Sequence, residues 1–151
     1  MPSQITGALI KATTSTVESM CFTAVLNEAL PDPATFAFAA DVPFSGDANG
    51  LVRVELTADA AACVASGFLG TDQEETDEAT ARTVLLELAN MICGCMLSLH
   101  NPSGSFAIGS PETTAPSHSI DADAVCAFEL ETGVIRVSFA GKAVCEDEAR
   151  P

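Results

Sequence analysis

An uninterrupted stretch from about Asp77 to Leu99 has the periodicity of a long amphipathic helix, and no other feature of this 151-residue chain constrains the fold as strongly. Its apolar residues recur at helical spacing, so they share one wide side of a wheel drawn at about 100° per residue. The turn-forming residues 100–104 (His-Asn-Pro-Ser-Gly) end the helix. Such a helix must bury its apolar side against other elements of the fold. The residues predicted for that side are Leu85, Leu88, Ala89, Ile92, Cys95, Met96 and Leu99.

The opposite side of the same helix carries a narrow polar stripe, spanning about 80° on the wheel. The stripe lacks the Lys and Arg that usually cover a solvated helix face, and it places an Asn, a poor helix former, in mid-helix. An ordinary solvated face and a docking surface for another protein are both consistent with it. The small residues that surround its one acid and one amide favour docking. The stripe comprises Thr76, Thr80, Thr83, Glu87, Asn90 and Gly94.

The remaining segments predict a sheet and two further helices. A helical pattern runs from about Ile5 to Phe22, and alternation in 51–56 predicts a hairpin with 36–44, joined by a Gly/Asn/Asp loop. Thr57 is a predicted N-cap for an alanine-rich helix that stops near Gly67 to Gly70, and Thr71 with Glu74 is a predicted capping box before the long helix. Further strands are predicted at Ser105–Gly109, Ala124–Leu130 and Val134–Phe139.

This order of elements predicts an α+β fold, with a mainly antiparallel sheet packed against two long helices and a shorter one. The length suits a single domain over residues 1–151. The charged tail, from about 145 to 151, is expected to fray.

The net charge of -15 makes nucleic acids and anionic membrane surfaces poor partners. The first residues do not resemble a secretory signal, and no segment is predicted to insert into a membrane, so we expect a cytoplasmic protein.

The six cysteines are scattered through apolar segments, and we expect buried thiols rather than disulfides. Cys93 and Cys95 would point about 200° apart on a helix and no other ligand pattern supports them, so no metal site is predicted. A thiol-based redox sensor that uses Cys21, Cys93 or Cys95 is a third-ranked alternative. It would need an exposed cysteine with a lowered pKa.

The segment Glu87-Leu88-Ala89-Asn90-Met91-Ile92-Cys93-Gly94 resembles the Glu-x-x-Asn signature helix of the CheC, CheX and FliY family of chemotaxis phosphatases. The hairpin loop Phe-Ser-Gly-Asp-Ala-Asn-Gly, the following strand and the alanine-rich helix that ends in Phe-Leu-Gly resemble the CheX branch. The resemblance extends over most of the chain, from about Ile5 to Phe139. Thr83 stands where the family often has Asp or Ser, and Cys95 where it often has a second Asn.

A weak internal repeat fits the same resemblance. Thr14, Glu18 and Cys21 have the spacing of Thr83, Glu87 and Asn90, with a cysteine in place of the amide. Members of the CheC type carry two intact motifs and members of the CheX type carry one. The resemblance therefore implies one functional site and a degenerate second copy, although chance similarity between Thr-rich helices also explains it.

The resemblance implies a phosphatase for the aspartyl phosphate of a CheY-like receiver domain. Glu87 would pair with the receiver's active-site Lys, Asn90 would orient the attacking water, and Thr83 and Gly94 would contact the receiver. The receiver would supply Mg²⁺, so no cofactor of the chain's own is expected, and CheX-type members form homodimers. The main alternative is a non-catalytic adaptor that binds a receiver or a flagellar switch component through the same helix face.

Overall fold

The computed structural model describes residues 4–28, 36–116 and 120–143, and the helices and strands within these ranges form an α+β fold, as predicted. The predicted frayed tail lies outside the described residues, and the single domain over 1–151 stays a prediction. The helices are α1 (Gln4–Met20), α2 (Ala58–Leu69) and α3 (Glu78–His100), and a 3-10 turn spans Gln73–Glu75. The strands are β1 (Val25–Glu28), β2 (Phe36–Gly46), β3 (Ala48–Thr57), β4 (Phe106–Ile108), β5 (Glu112–Thr114), β6 (Ala124–Leu130) and β7 (Val134–Ala143).

The described strands form one antiparallel sheet in the order β1-β6-β7-β3-β2-β4, and β5 also pairs with β2. The hairpin between β2 and β3 is tighter than predicted, because both strands continue to either side of Asp47. Ser105 N–H donates to Asp47 Oδ2 (2.8 Å), and Asp47 N–H donates to Ser105 O (3.0 Å). These two bonds fix the hairpin turn to the chain that enters β4.

All three helices contact the sheet and one another to form the core. Helix α1 contacts β6 and β7, whereas α3 contacts β2, β3 and β4, so the two long helices lie over different halves of the sheet. Alternate strand residues such as Val52, Val54, Ile135 and Val137 are fully buried in this core. Helix α3 meets the length and composition of a membrane span, alone among the helices of the described part. Its buried side belongs to this core, as in a core helix of a folded domain.

The helix ends explain how the loops position α3. Thr57 Oγ1 accepts from Ala60 N–H (3.3 Å) at the start of α2, as predicted, and also from Val134 N–H (3.0 Å) at the start of β7. The predicted capping box is displaced by one residue, because the box formed by Asp72 and Glu75 serves the 3-10 turn. The cap of α3 is Asp77, whose Oδ1 accepts from Thr80 N–H (2.8 Å). Hydrogen bonds from the side chain and backbone of Thr80 lower the pKa of Asp77 from its ordinary value.

The buried side of α3 differs from the predicted side near its C-terminal end. Leu99 is 39% exposed and Cys95 is half-buried, while Cys93 and Leu97 are buried instead. The other five predicted core residues of the helix are buried. β4 lies beside this end of α3 and covers part of a side that a wheel based on sequence alone assigns to solvent.

Candidate functional site

The exposed face of α3 carries three of the residues singled out in the sequence. Thr83, Glu87 and Asn90 are exposed, and Gly94 on the same face is half-buried. Thr76, the first predicted member of the stripe, precedes the Asp77 cap and lies outside the helix. The stripe is therefore shorter than predicted.

Glu87 and Asn90 lie one helical turn apart on this face, so their side chains are neighbours. Within the described part of the chain, neither side chain forms a hydrogen bond or an ion pair. A carboxylate offers only acceptor oxygens, whereas a carboxamide offers both a donor and an acceptor. The pair therefore presents complementary polar groups to a docking partner without having to break internal contacts.

The Thr83 hydroxyl is bonded within the helix. Its Oγ1 donates to Ala79 O at 3.1 Å. Next to it lies a shallow hollow of about 230 Å³ between α3 and the end of α2. The polar pair thus has a partly apolar depression on its N-terminal side. The hollow is lined by Leu69, Ala79, Thr80, Thr83 and Val84.

Gly94 marks the other end of the stripe. A Cβ built there would lie 3.6 Å from Ile108 Cδ1, which is ordinary van der Waals contact, and Ile108 is itself 40% exposed. Sequence reasoning missed Ile108 and Leu69, because their proximity to the stripe comes from contacts between separate elements.

Gly94→Ala is expected to stabilise the fold by about 0.5–1 kcal/mol, because alanine costs less backbone entropy in a helix and its Cβ fits here. The thermal midpoint should rise by about 2–4 °C per kcal/mol for a chain of this size. Gly7→Ala in α1 is the matched control, since a Cβ added there would meet nothing within 4 Å, and it should give a similar gain. A loss of stability in Gly94→Ala alone would contradict the open geometry at Gly94. Helix stability therefore does not explain why a glycine stands here.

The predicted second copy of the stripe does not form a matching surface. Thr14 is half-buried and donates to Lys11 O (3.3 Å), and Glu18 Oε2 accepts from Val25 N–H (3.2 Å). Cys21 follows the last residue of α1 and is 0% exposed, so it cannot contact a partner as Asn90 can. The carboxylate of Glu18 is therefore engaged in a hydrogen bond with the backbone at the start of β1.

The described cysteines are free thiols, and four of the five are buried, as expected; Cys145 lies outside the described residues. Burial raises the pKa of Cys21 and of Cys93 to about 12, and that of Cys126 to about 11. These shifts oppose the lowered pKa that a thiol sensor needs. The described part of the chain has no group of three or more side chains that could hold a metal ion.

A family model described as chemotaxis phosphatase CheX matches residues 38–126, which is more than half of the chain. The chain belongs to the CheX family. The match includes the whole of α3 and therefore both Glu87 and Asn90. The family resemblance inferred from the signature helix is confirmed.

Solved structures of CheX proteins share the fold. A chemotaxis protein CheX from Desulfovibrio desulfuricans is 22% identical with a TM-score of 0.70, and the similarity covers 93% of this chain and all of that one. CheX from Vibrio vulnificus has a TM-score of 0.76 at 12% identity, covering 94% of this chain and 100% of that chain. The CheX-CheY-BeF3-Mg complex from Borrelia burgdorferi has a TM-score of 0.67 at 16% identity, and the similarity covers 90% of this chain and 96% of that chain. No curated protein matches the chain.

Proposed function

We propose that this CheX-family chain hydrolyses the aspartyl phosphate of a CheY-like receiver domain in two-component signalling. The observation that carries the proposal is the exposed Glu87 and Asn90 pair on α3, which has no partner among the described residues. The fold is also shared with a CheX protein that was crystallised together with CheY, BeF3 and Mg²⁺.

Asn90 orients the water that attacks phosphorus in this proposal. The oxygen of that water forms the new bond to phosphorus, the bond to the aspartate oxygen breaks, and the aspartate leaves as a carboxylate. One proton of the water ends on the released phosphate or in solvent. A neutral carboxamide holds the water in line without the repulsion that a carboxylate would meet beside the phosphoryl oxygens.

Glu87 anchors the complex by pairing with the active-site Lys of the receiver. A carboxylate and an ammonium group form a charge-assisted hydrogen bond, which gains strength as the interface excludes water. The receiver would supply Mg²⁺, which would neutralise charge on its phosphoryl group. The chain needs no cofactor of its own in this scheme.

The proposal includes a cytoplasmic location, as expected from the sequence, and a homodimer, as the resemblance implies. Sedimentation of the purified chain over a range of concentrations tests the dimer. A monomer at all concentrations would remove this part of the proposal and leave the site on α3 unaffected.

The deciding experiment measures loss of phosphate from a receiver loaded by a small-molecule phosphodonor, with Mg²⁺, in the presence and absence of the chain. Binding of the same receiver, held in its active form by BeF3, is measured in parallel. Faster loss of phosphate in the presence of the chain supports the proposed phosphatase activity. Binding without acceleration supports the adaptor alternative, and absence of both would overturn the proposal.

Glu87→Gln is expected to weaken receiver binding about tenfold, because it removes the charge of the anchor while its size is kept. The effect should appear in KM for the phosphorylated receiver, with a smaller change in kcat. Glu75→Gln, which changes an exposed acid outside α3, is the matched control for net charge. An equal effect of the two substitutions would show that Glu87 acts only through the overall field of the chain.

A further inference from the structure

The hollow beside Thr83 adjoins the proposed site and has no role in the chemistry described above. Leu69, the last residue of α2, leaves 47% of its surface exposed at the rim of the hollow. Gly70 fixes this position, because it adopts a left-handed conformation (φ 73°) and its N–H donates to Ser66 O at 2.8 Å. A large apolar side chain is thus held open to solvent next to a polar functional pair.

The chemistry of the hollow favours an apolar occupant. Leu69, Ala79 and Val84 contribute hydrocarbon, and the hydroxyl proton of Thr83 is already donated to Ala79 O. The volume of about 230 Å³ is smaller than a usual small-molecule pocket and suits a single side chain from a protein surface.

The position of the hollow relates it to the same partner. Along α3, Thr83 lies about 6 Å from Glu87 and about 10 Å from Asn90, at 1.5 Å rise per residue. All three are on one exposed face, so a protein that covers Glu87 and Asn90 also reaches the hollow. The occupant would therefore belong to the receiver, within about two helical turns of the Lys that pairs with Glu87.

We propose that the receiver docks with one apolar side chain in the hollow formed by Leu69, Ala79, Thr80, Thr83 and Val84. This inference rests on the proposed function, and it divides that function between two places on α3. The hollow adds to the affinity for the receiver that Glu87 supplies, and Asn90 determines the rate of hydrolysis. Leu69 is a specificity-determining residue, because receivers without an apolar side chain at this place bind more weakly.

The test compares Leu69→Gln with Leu26→Gln, its matched control. Leu26 is 54% exposed on β1, at the edge of the sheet far from β2 and β4, where α3 packs. Leu69→Gln is expected to raise KM for the phosphorylated receiver, and Kd for the BeF3-bound receiver, about tenfold with kcat unchanged. Leu26→Gln should leave both values as in the parent.

A second variant, Ala79→Trp, fills the hollow from an exposed helix position without removing any core side chain. It should weaken receiver binding at least as much as Leu69→Gln. Unchanged Kd in both variants would overturn the docking proposal while the phosphatase stands. If the parent binds the receiver without accelerating hydrolysis, the phosphatase proposal is wrong. The Kd values of the two variants then still test whether the receiver docks in the hollow. If the parent does not bind the receiver, both proposals are wrong.

Discussion

Asn90→Ala is expected to reduce the chain's acceleration of receiver dephosphorylation by about 100-fold or more, to near the rate of the receiver alone. Losing one preorganised group that acts on the reacting atoms typically costs this much in kcat. The loss should appear in kcat, while binding of the BeF3-bound receiver is retained, because Glu87 still anchors the complex. The measurement is single-turnover loss of phosphate at saturating chain.

The fold should tolerate this change, since Asn90 is exposed without a hydrogen-bond partner in the described part and alanine is the better helix former. Ser98→Ala, at another exposed position of α3, is the matched control and should keep the parental rate. Asn90→Asp keeps the size of the side chain but adds a negative charge beside the phosphoryl oxygens, so it should also be inactive. A parental rate in Asn90→Ala would refute the assigned role and favour the adaptor alternative.

The sequence was sufficient to predict α3 and its exposed pair because a long helix averages its periodicity over many turns. Glu87 and Asn90 differ by three positions, and any regular helix puts such residues on one face. The same reasoning failed for Leu99, which is 39% exposed beside the first turns of α1, because the wheel carries no information about how α1 packs near the end of α3. Local periodicity therefore locates the face but not its borders.

The elements that escaped prediction lack a local signal. β1 and β5 are short and largely exposed, so neither shows the alternation of a half-buried strand. Cys21 matched the spacing of the motif, yet α1 ends one residue earlier and the thiol turns into the core. The hollow at Leu69 depends on how α2 packs against α3, which the sequence pattern leaves open.

A charged pair on the opposite side of the sheet from the helices also escaped prediction, because it depends on the register between strands that are distant in sequence. Glu55 lies between the core residues Val54 and Leu56 of β3, and register places it beside Arg136 of β7. Arg136 Nε donates to Glu55 Oε1 at 2.7 Å, and the guanidinium lies 4.6 Å from the centroid of the Phe36 ring. Glu55 is 1% exposed, and its second oxygen has no hydrogen-bond partner among the described residues.

Arg136→Ala is expected to lower the free energy of unfolding by about 3 kcal/mol, because it leaves a buried carboxylate without its hydrogen-bonded counterion. This loss is at the low end of the range expected for breaking a buried ion pair, because Arg53 still interacts electrostatically with Glu55. The thermal midpoint should fall by about 10 °C. Denaturant unfolding followed by circular dichroism measures the change.

Arg82→Ala provides a close control for this stability effect. Arg82 forms a comparable pair with Glu78 (2.6 Å) and lies 4.9 Å from the centroid of the Phe38 ring, but the two side chains are 42% and 66% exposed. An exposed pair contributes at most about 1 kcal/mol, so the two arginines should differ by about 2 kcal/mol or more. Replacing Glu55 and Arg136 together by leucine should recover most of the loss, because no unpaired charge is then buried. If Arg136→Ala lowers the free energy of unfolding no more than Arg82→Ala does, then burial of the Glu55 carboxylate does not make the ion pair with Arg136 important for stability.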